Sequence, residues 1–386
     1  MKMPIYLDYA ATTPISPKSA KAICETLSDP ALSGNPSSST HMYGWKAQEA
    51  VHAARVNVAS LFNAKARDVV FTSGATEANN LAIQGACQGH SAPHIITSSI
   101  EHKAVLETCQ HMSKNGAQVT ILEPNENGII SPEHVASAIK ENTVLVSLMH
   151  VNNELGSFND IDAIGELISG INPEIVFHVD AAQSAGKVDI DVKSLAKIDI
   201  ITFSAHKFYG PKGIGGLVLS RFARKKISPI SFGGAQENSL RPGTLATHQI
   251  IGMGEAAAEC KEQLNADQEH ALLLRQTLFD TLKDSGIEFN TNVNQNFSYP
   301  GIVNINILGI EPDELMLRWS QVAVSSGSAC NSQIKLGSYV LKAIRNGRDT
   351  APFSADVRIS FGRYTAREDI IDAVKYLVPA LSTVAC

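Results

Sequence analysis

No apolar run in this chain approaches the eighteen or so residues that a membrane-crossing helix needs, and Met1-Lys2-Met3-Pro4-Ile5-Tyr6 lacks the apolar core of a signal peptide. These absences predict a cytoplasmic protein with no membrane partner. The six cysteines form no C-x-x-C pair and show no metal-ligand spacing, so reduced thiols and no bound metal are expected. Basic residues are in deficit, 32 Lys and Arg against 38 Asp and Glu, and the cluster from Arg221 to Lys226 is short enough to be a solvated face. Direct contact with nucleic acid is therefore not expected. Internal repeats and low-complexity tracts are missing as well. What is present is a folding composition, 44% hydrophobic and 18% charged, over 386 residues, which suits two domains better than one core.

Short β-branched runs alternate with segments of helical spacing from Val69 to about residue 225. The runs are Val69 to Thr72, His94 to Ser98, Gln118 to Leu122, Thr143 to His150, Ile175 to Val179, Ile198 to Phe203 and Gly216 to Leu219. That rhythm predicts an α/β fold with a mostly parallel sheet covered by helices on both faces. A long helical stretch from about Gly252 to Asp284 leads to a second unit. Its expected strands lie near Ile287, at Gly301 to Leu308, Gln321 to Ser325 and Asp356 to Phe361, and a helix from about Arg367 closes it.

Polar clusters stand where the strands stop, the edge at which open α/β sheets bind ligands. Asp180-Ala181-Ala182-Gln183 ends one run and Ser204-Ala205-His206-Lys207 the next. An acid and an amine at adjacent strand ends suit a pyridine aldehyde cofactor: the carboxylate can keep a ring nitrogen protonated while the amine forms a Schiff base. Taken singly, Asp180 reads equally well as a helix cap and Lys207 as a loop lysine. Thr72-Ser73-Gly74-Ala75-Thr76 opens a helix and can cradle a phosphate, although a capping turn has the same composition. His102 follows another strand and can stack on a flat ring or carry a proton. Asn153, Gln183, Ser204 and His206 add short polar groups at the same edge.

With these motifs in their order, the sequence resembles the pyridoxal-phosphate enzymes of the aspartate aminotransferase fold, and within them the class V cysteine desulfurases. The likeness rests on Tyr6-Leu7-Asp8-Tyr9-Ala10-Ala11-Thr12-Thr13, Gly34-Asn35-Pro36 with His41, Ser73 to Glu77, Glu101-His102-Lys103, Asn152-Asn153-Glu154, Asp180 to Gln183, Ser204 to Lys207, Arg241-Pro242-Gly243-Thr244 and Ser326-Gly327-Ser328-Ala329-Cys330. It implies fold type I, with a large cofactor-binding domain at residues 15–255 and a smaller α+β domain made of 1–14 plus 256–386. It also implies roles. Lys207 is similar to the Schiff-base lysine that later moves the α-proton, Asp180 to the partner of the pyridinium, His102 to the stacked imidazole and Gln183 to the donor on the phenolic oxygen. Ala75, Thr76, Ser204 and His206 correspond to phosphate contacts, and Thr244 to a residue reaching the phosphate of a neighbouring subunit, which implies a homodimer. Arg358 resembles the arginine that binds the substrate carboxylate, helped by Asn153 and Asn35.

Cys330 lies in a Gly/Ser-rich stretch and resembles the nucleophile that takes sulfur from L-cysteine as a persulfide, releasing alanine. A sulfur-acceptor protein is then implied, by default one that assembles iron–sulfur clusters, with tRNA thiolation, nitrogenase maturation or sulfur modification of DNA as alternatives. The chain ends at Cys386 without the longer tail of the housekeeping members, which leaves the acceptor open. An aminotransferase or selenocysteine lyase of the same fold, and a noncatalytic adaptor, are the rival readings.

Overall fold

The computed structural model describes residues 3–195, 197–326, 337–346 and 353–382. Its strands, in chain order, are β1 (Ile5–Tyr6), β2 (Val69–Thr72), β3 (His94–Ser98), β4 (Gln118–Leu122), β5 (Thr143–Met149), β6 (Val176–Asp180), β7 (Ile200–Ser204), β8 (Gly215–Leu219), β9 (Phe289–Thr291), β10 (Ile302–Leu308), β11 (Val322–Ala323) and β12 (Ser354–Ser360).

Seven of them form one sheet in the order β2-β8-β7-β6-β5-β3-β4. Strand β8 runs antiparallel to both neighbours, and all other pairings are parallel. Strands β2, β3, β6, β7 and β8 are buried along their whole length, which is why they read as unbroken apolar runs. Strand β4 is the edge and leaves Ile121 half exposed. Three starts, those of β6, β7 and β8, differ from the sequence expectation by one or two residues. Asp199 accepts from the Phe177 N–H through Oδ2 and from the Ser220 hydroxyl through Oδ1, so it ties the near ends of β6, β7 and β8 together just ahead of β7.

The helix Thr247–Asp284 begins five residues before the expected point and is 38 residues long, about 57 Å at 1.5 Å per residue. Its first half buries Ile250, Met253, Ala256 and Cys260 against Phe62, Phe203 and Phe208 beneath the large sheet. The second half buries Leu274, Leu278 and Leu282 in a separate core with Leu7, Val303, Ile305, Trp319 and Val357. That second core covers an antiparallel sheet in the order β12-β10-β9. The expected strand from Gln321 to Ser325 shrinks to β11, which pairs with β1, while Ser325 makes only an isolated bridge to Arg358. The N-terminal strand is thus built into the C-terminal unit, and the chain crosses from there directly over the carboxyl edge of the large sheet.

Candidate active site

The carboxyl ends of β2, β3, β5, β6 and β7 open into a cavity of about 510 Å³, closed on the far side by Ala10, Ala11 and Arg358. A surface groove of about 590 Å³ between Lys18, Glu25, Ala54 and Glu255 is larger, but it lies among helices away from every strand end, and its charged groups, such as Lys18, Lys21 and Glu25, are exposed surface side chains. The smaller cavity is the chemical one.

Lys207 ends the single turn Ala205–Lys207 after β7. Its Nζ donates to the carbonyls of Ala10 and Ala11 at 2.6 and 2.8 Å. Those carbonyls are held in place because Thr13 is stitched to the same turn: its N–H and hydroxyl donate to the His206 carbonyl, and its hydroxyl accepts from the Tyr209 N–H. The apparently bland Ala10-Ala11-Thr12-Thr13 stretch is therefore one wall of the lysine site.

Asp180 faces the cavity from the end of β6. One carboxylate oxygen accepts from the Ala182 N–H at 2.9 Å and the other from the Asn79 amide at 2.7 Å. Asn79 accepts in turn from the Thr202 hydroxyl. With its proton committed there, Thr202 must accept from His178 Nε2 at 3.0 Å, which leaves His178 Nδ1 to accept from Ser147 at 2.8 Å. Burial pushes His178 down to about 4, so it is neutral near pH 7 and this single tautomer is retained. A chain of four buried side chains thus fixes the acid.

His102 caps the helix Lys103–Lys114 by accepting from the Ala104 N–H through Nδ1 at 3.1 Å. That bond places the imidazole proton on Nε2. Burial lowers its proton affinity, against the pull of Asp180, and favours the neutral ring. Beside it, Glu101 is wholly buried and accepts from Ser98 and from the Met149 N–H. Its other oxygen has no partner, and burial pushes it up to about 8, so it is a neutral acid at pH 7.

The helix Ala75–Cys87 aims its open N–H groups and positive dipole end at the cavity from the Ser73-Gly74 turn. Gly215 makes room for that turn: a Cβ there would stand 2.8 Å from the Gly74 Cα. Ser204 and His206 line the same end, and burial together with the charges of Lys207 and Lys212 pushes His206 down to about 4. Opposite, Arg358 on β12 donates to Asp8 at 2.7 Å and to the Asn153 carbonyl at 2.9 Å. Its Nε and the Asn153 Oδ1 are buried without partners, so this corner has polar capacity left for a ligand.

The fold therefore brings together Ala75, Thr76, His102, Asn153, Asp180, Gln183, Ser204, His206, Lys207 and Arg358 around one cavity. Two of the expected residues do not line it. Asn35 is exposed and turns its side-chain oxygen to the Ser37 N–H, and Thr244 is exposed beside a segment anchored by the Arg241–Glu77 ion pair. Cys330 lies outside the described residues. Asp8 and Asn79 are site residues that the sequence reading did not single out.

A family model described as aminotransferase class V matches residues 5–373. A cysteine desulfurase IscS of Shewanella sediminis is 48% identical over 97% of this chain and 92% of its own length, and one from Pseudomonas aeruginosa is 48% identical over 99% and 94%. The chain belongs to the class V aminotransferases, among the cysteine desulfurases. Among solved structures, a NifS-like protein superposes with a TM-score of 0.89 at 30% identity over 99% of this chain and all of its own. The SspA protein solved in complex with cysteine gives 0.80 at 36% identity, over 94% and 99%.

This desulfurase uses pyridoxal 5'-phosphate, and the cavity fits that group. Its volume lies within the usual range for cofactor sites, roughly 300 to 1,000 Å³. An amine, a fixed carboxylate, an imidazole and a helix N-terminus line it, the donor set that an aldehyde, a ring nitrogen, a ring face and a phosphate call for. Among the described residues, no helix is long and apolar enough to cross a membrane.

Proposed function

We propose that this desulfurase takes the sulfur of L-cysteine onto Cys330 as a persulfide, releases alanine, and hands the sulfur to an acceptor protein of iron–sulfur cluster assembly in the cytoplasm. The observation that carries the reading is the meeting of Lys207, Asp180, His102 and Arg358 in one cavity at the carboxyl edge of the sheet. When bound, the cofactor supplies the electron sink.

The protein's own groups do the rest. Asp180, held by Asn79 and Ala182, would face the ring nitrogen and favour its protonated form. The His102 ring covers the face of the site and presents Nε2–H, and Gln183 offers an amide donor to the ring oxygen. Ala75, Thr76, Ser204 and His206 bind the phosphate. Arg358 takes the substrate carboxylate through the Nε edge left open beside Asn153, with Asp8 holding the opposite edge of the guanidinium. Lys207, whose Nζ is already pinned between two carbonyls, is placed to withdraw and return the α-proton. The Cys330 thiolate attacks the substrate sulfur. The new S–S bond forms as the substrate C–S bond breaks, and the electron pair left on the β-carbon takes a proton to give the methyl group of alanine.

Two further statements belong to this reading. The enzyme works as a homodimer in which Thr244 reaches the neighbouring phosphate site, supported by its exposure and by the Arg241–Glu77 pair that fixes its segment to the phosphate turn. The chain divides at about residue 255, supported by the separate cores on the two halves of the long helix.

Replacing Cys330 with Ser should leave the visible chromophore of the purified enzyme intact and abolish alanine and sulfide production from cysteine, whereas Lys207→Ala should lose the chromophore's lysine-bound form as well. Full turnover by Cys330→Ser would refute the assignment, and pyruvate in place of alanine would mark a transaminase.

A further inference from the structure

The turn after β6 carries a second buried lysine that the mechanism above does not use. Ala185 and Val188 donate back to the carbonyls of Ala181 and Ser184, so the backbone coils and brings residues 183 and 187 to one side. Gly186 closes the turn in the left-handed region, with φ of 70° and Phe208 and Cys260 packed where a side chain would go.

Lys187 is buried, yet its partners are an amide and an aromatic face. Its Nζ donates to the Gln183 Oε1 at 3.1 Å and lies 5.9 Å from the Tyr299 ring centre. The charged and titratable groups around it are Lys207, His206, Arg358, Cys260 and Tyr299. Burial first, and the Lys207 charge second, push Lys187 down to about 7. Gln183 Nε2 donates to the Ala10 carbonyl at 2.8 Å, and that same carbonyl accepts from Lys207 at 2.6 Å. One chain of contacts thus runs from Lys187 through Gln183 to the lysine of the active site.

An ammonium has three donors and no acceptor, so it can meet only the oxygen end of an amide. We infer that Lys187 is a positioning residue: by holding Oε1 it forces the Gln183 NH₂ toward Ala10 and the cavity, where it can donate to the ring oxygen. The inference rests on the reading of Gln183 as a cofactor contact.

The test is a pH titration of the visible chromophore of the holoenzyme. In Lys187→Met the apparent pKa of the lysine–cofactor linkage should rise by up to about one unit, the size that loss of one hydrogen bond to the ring oxygen gives. Gln183→Ala should shift it in the same direction, and the double variant should move it no further than the larger single change. An unshifted titration in Lys187→Met alongside a shifted one in Gln183→Ala overturns the role of Lys187. Two unshifted singles overturn the Gln183 reading beneath it, and fully additive shifts show that Lys187 does not act through Gln183. Lys187→Leu gives the same readout should the Met variant fail to fold, and Lys187→Gln, which still offers Oε1 a donor, should titrate near the parent; a shift as large as that of Lys187→Met would overturn the positioning role.

Discussion

Asn79→Ala tests whether the buried chain behind Asp180 matters to the chemistry or only to the fold. Asn79 is fully buried and gives Asp180 one of its two hydrogen bonds from the protein, at 2.7 Å. A hydrogen bond to a charged group contributes about 1.5–3 kcal/mol. Taking about 2 kcal/mol for a bond on which the reaction depends throughout, its loss amounts to about 30-fold in a rate or binding constant. The expected result is a fall of about 30-fold in kcat/KM for cysteine, with weaker cofactor retention on dialysis. The substitution also strands the Thr202 hydroxyl, which costs about 1–3 kcal/mol of stability, so assays belong well below the melting temperature. Asn79→Asp separates the two effects. It keeps the size but replaces the amide donor with a second carboxyl against Asp180, so the damage should be at least as large as in the alanine variant without the void that alanine leaves. Asn79→Ala with kcat/KM and cofactor retention unchanged would refute the claim that Asp180 depends on this support.

Two more outcomes follow from groups on the cavity wall. Arg358→Lys keeps one positive charge but cannot serve Asp8, the Asn153 carbonyl and a ligand at once, so KM for cysteine should rise about 10- to 100-fold, for about 1.5–3 kcal/mol, while the chromophore is unchanged; an unaltered KM removes Arg358 from carboxylate binding. Glu101 is protonated in the folded enzyme up to about pH 8 but ionised in the unfolded chain above its ordinary value of 4.5. Between those limits the folded state binds one more proton, so this group makes stability fall as pH rises, by about 1.4 kcal/mol per unit at most. Glu101→Gln should therefore gain in melting temperature over the parent between pH 5 and 8, and a gap that stays constant with pH would show that Glu101 is ionised in place.

What the sequence made legible was the part of the site that repeats one physical rule. A fully buried strand reads as an apolar run, and the polar residue that ends it must face the sheet edge, which located His102, Asn153, Asp180 and Lys207 together. The side chain of Asp199, just ahead of its strand, bonds to Phe177 and Ser220 and ties three strands together, a link that no local pattern announces. Asp8 and Asn79 were hidden as well. Asp8 pairs with Arg358 across 350 positions, and nothing local in Tyr6-Leu7-Asp8-Tyr9 announces that partner.

Asn79 did leave a signal, since it stands on the face of its helix that also carries Ala78, Leu81 and Ala82 and is buried with them. A polar amide on an apolar face has to find partners, because an unpaired amide in that position costs about 1–3 kcal/mol. The sequence could not say which strand supplied them. The same holds for Lys187: four places after Gln183 in a coiled turn, its side chain had to lie alongside the amide, but that the pair would be driven under the active-site lysine followed only from the seating of Ala10 over Lys207. The N-terminal segment that forms this seat belongs by its packing to the other core, through Leu7. A displacement of one unit against the other would thus be felt at Lys207, Gln183 and Arg358 together, which places the coupling between the two cores at the point where the α-proton is handled.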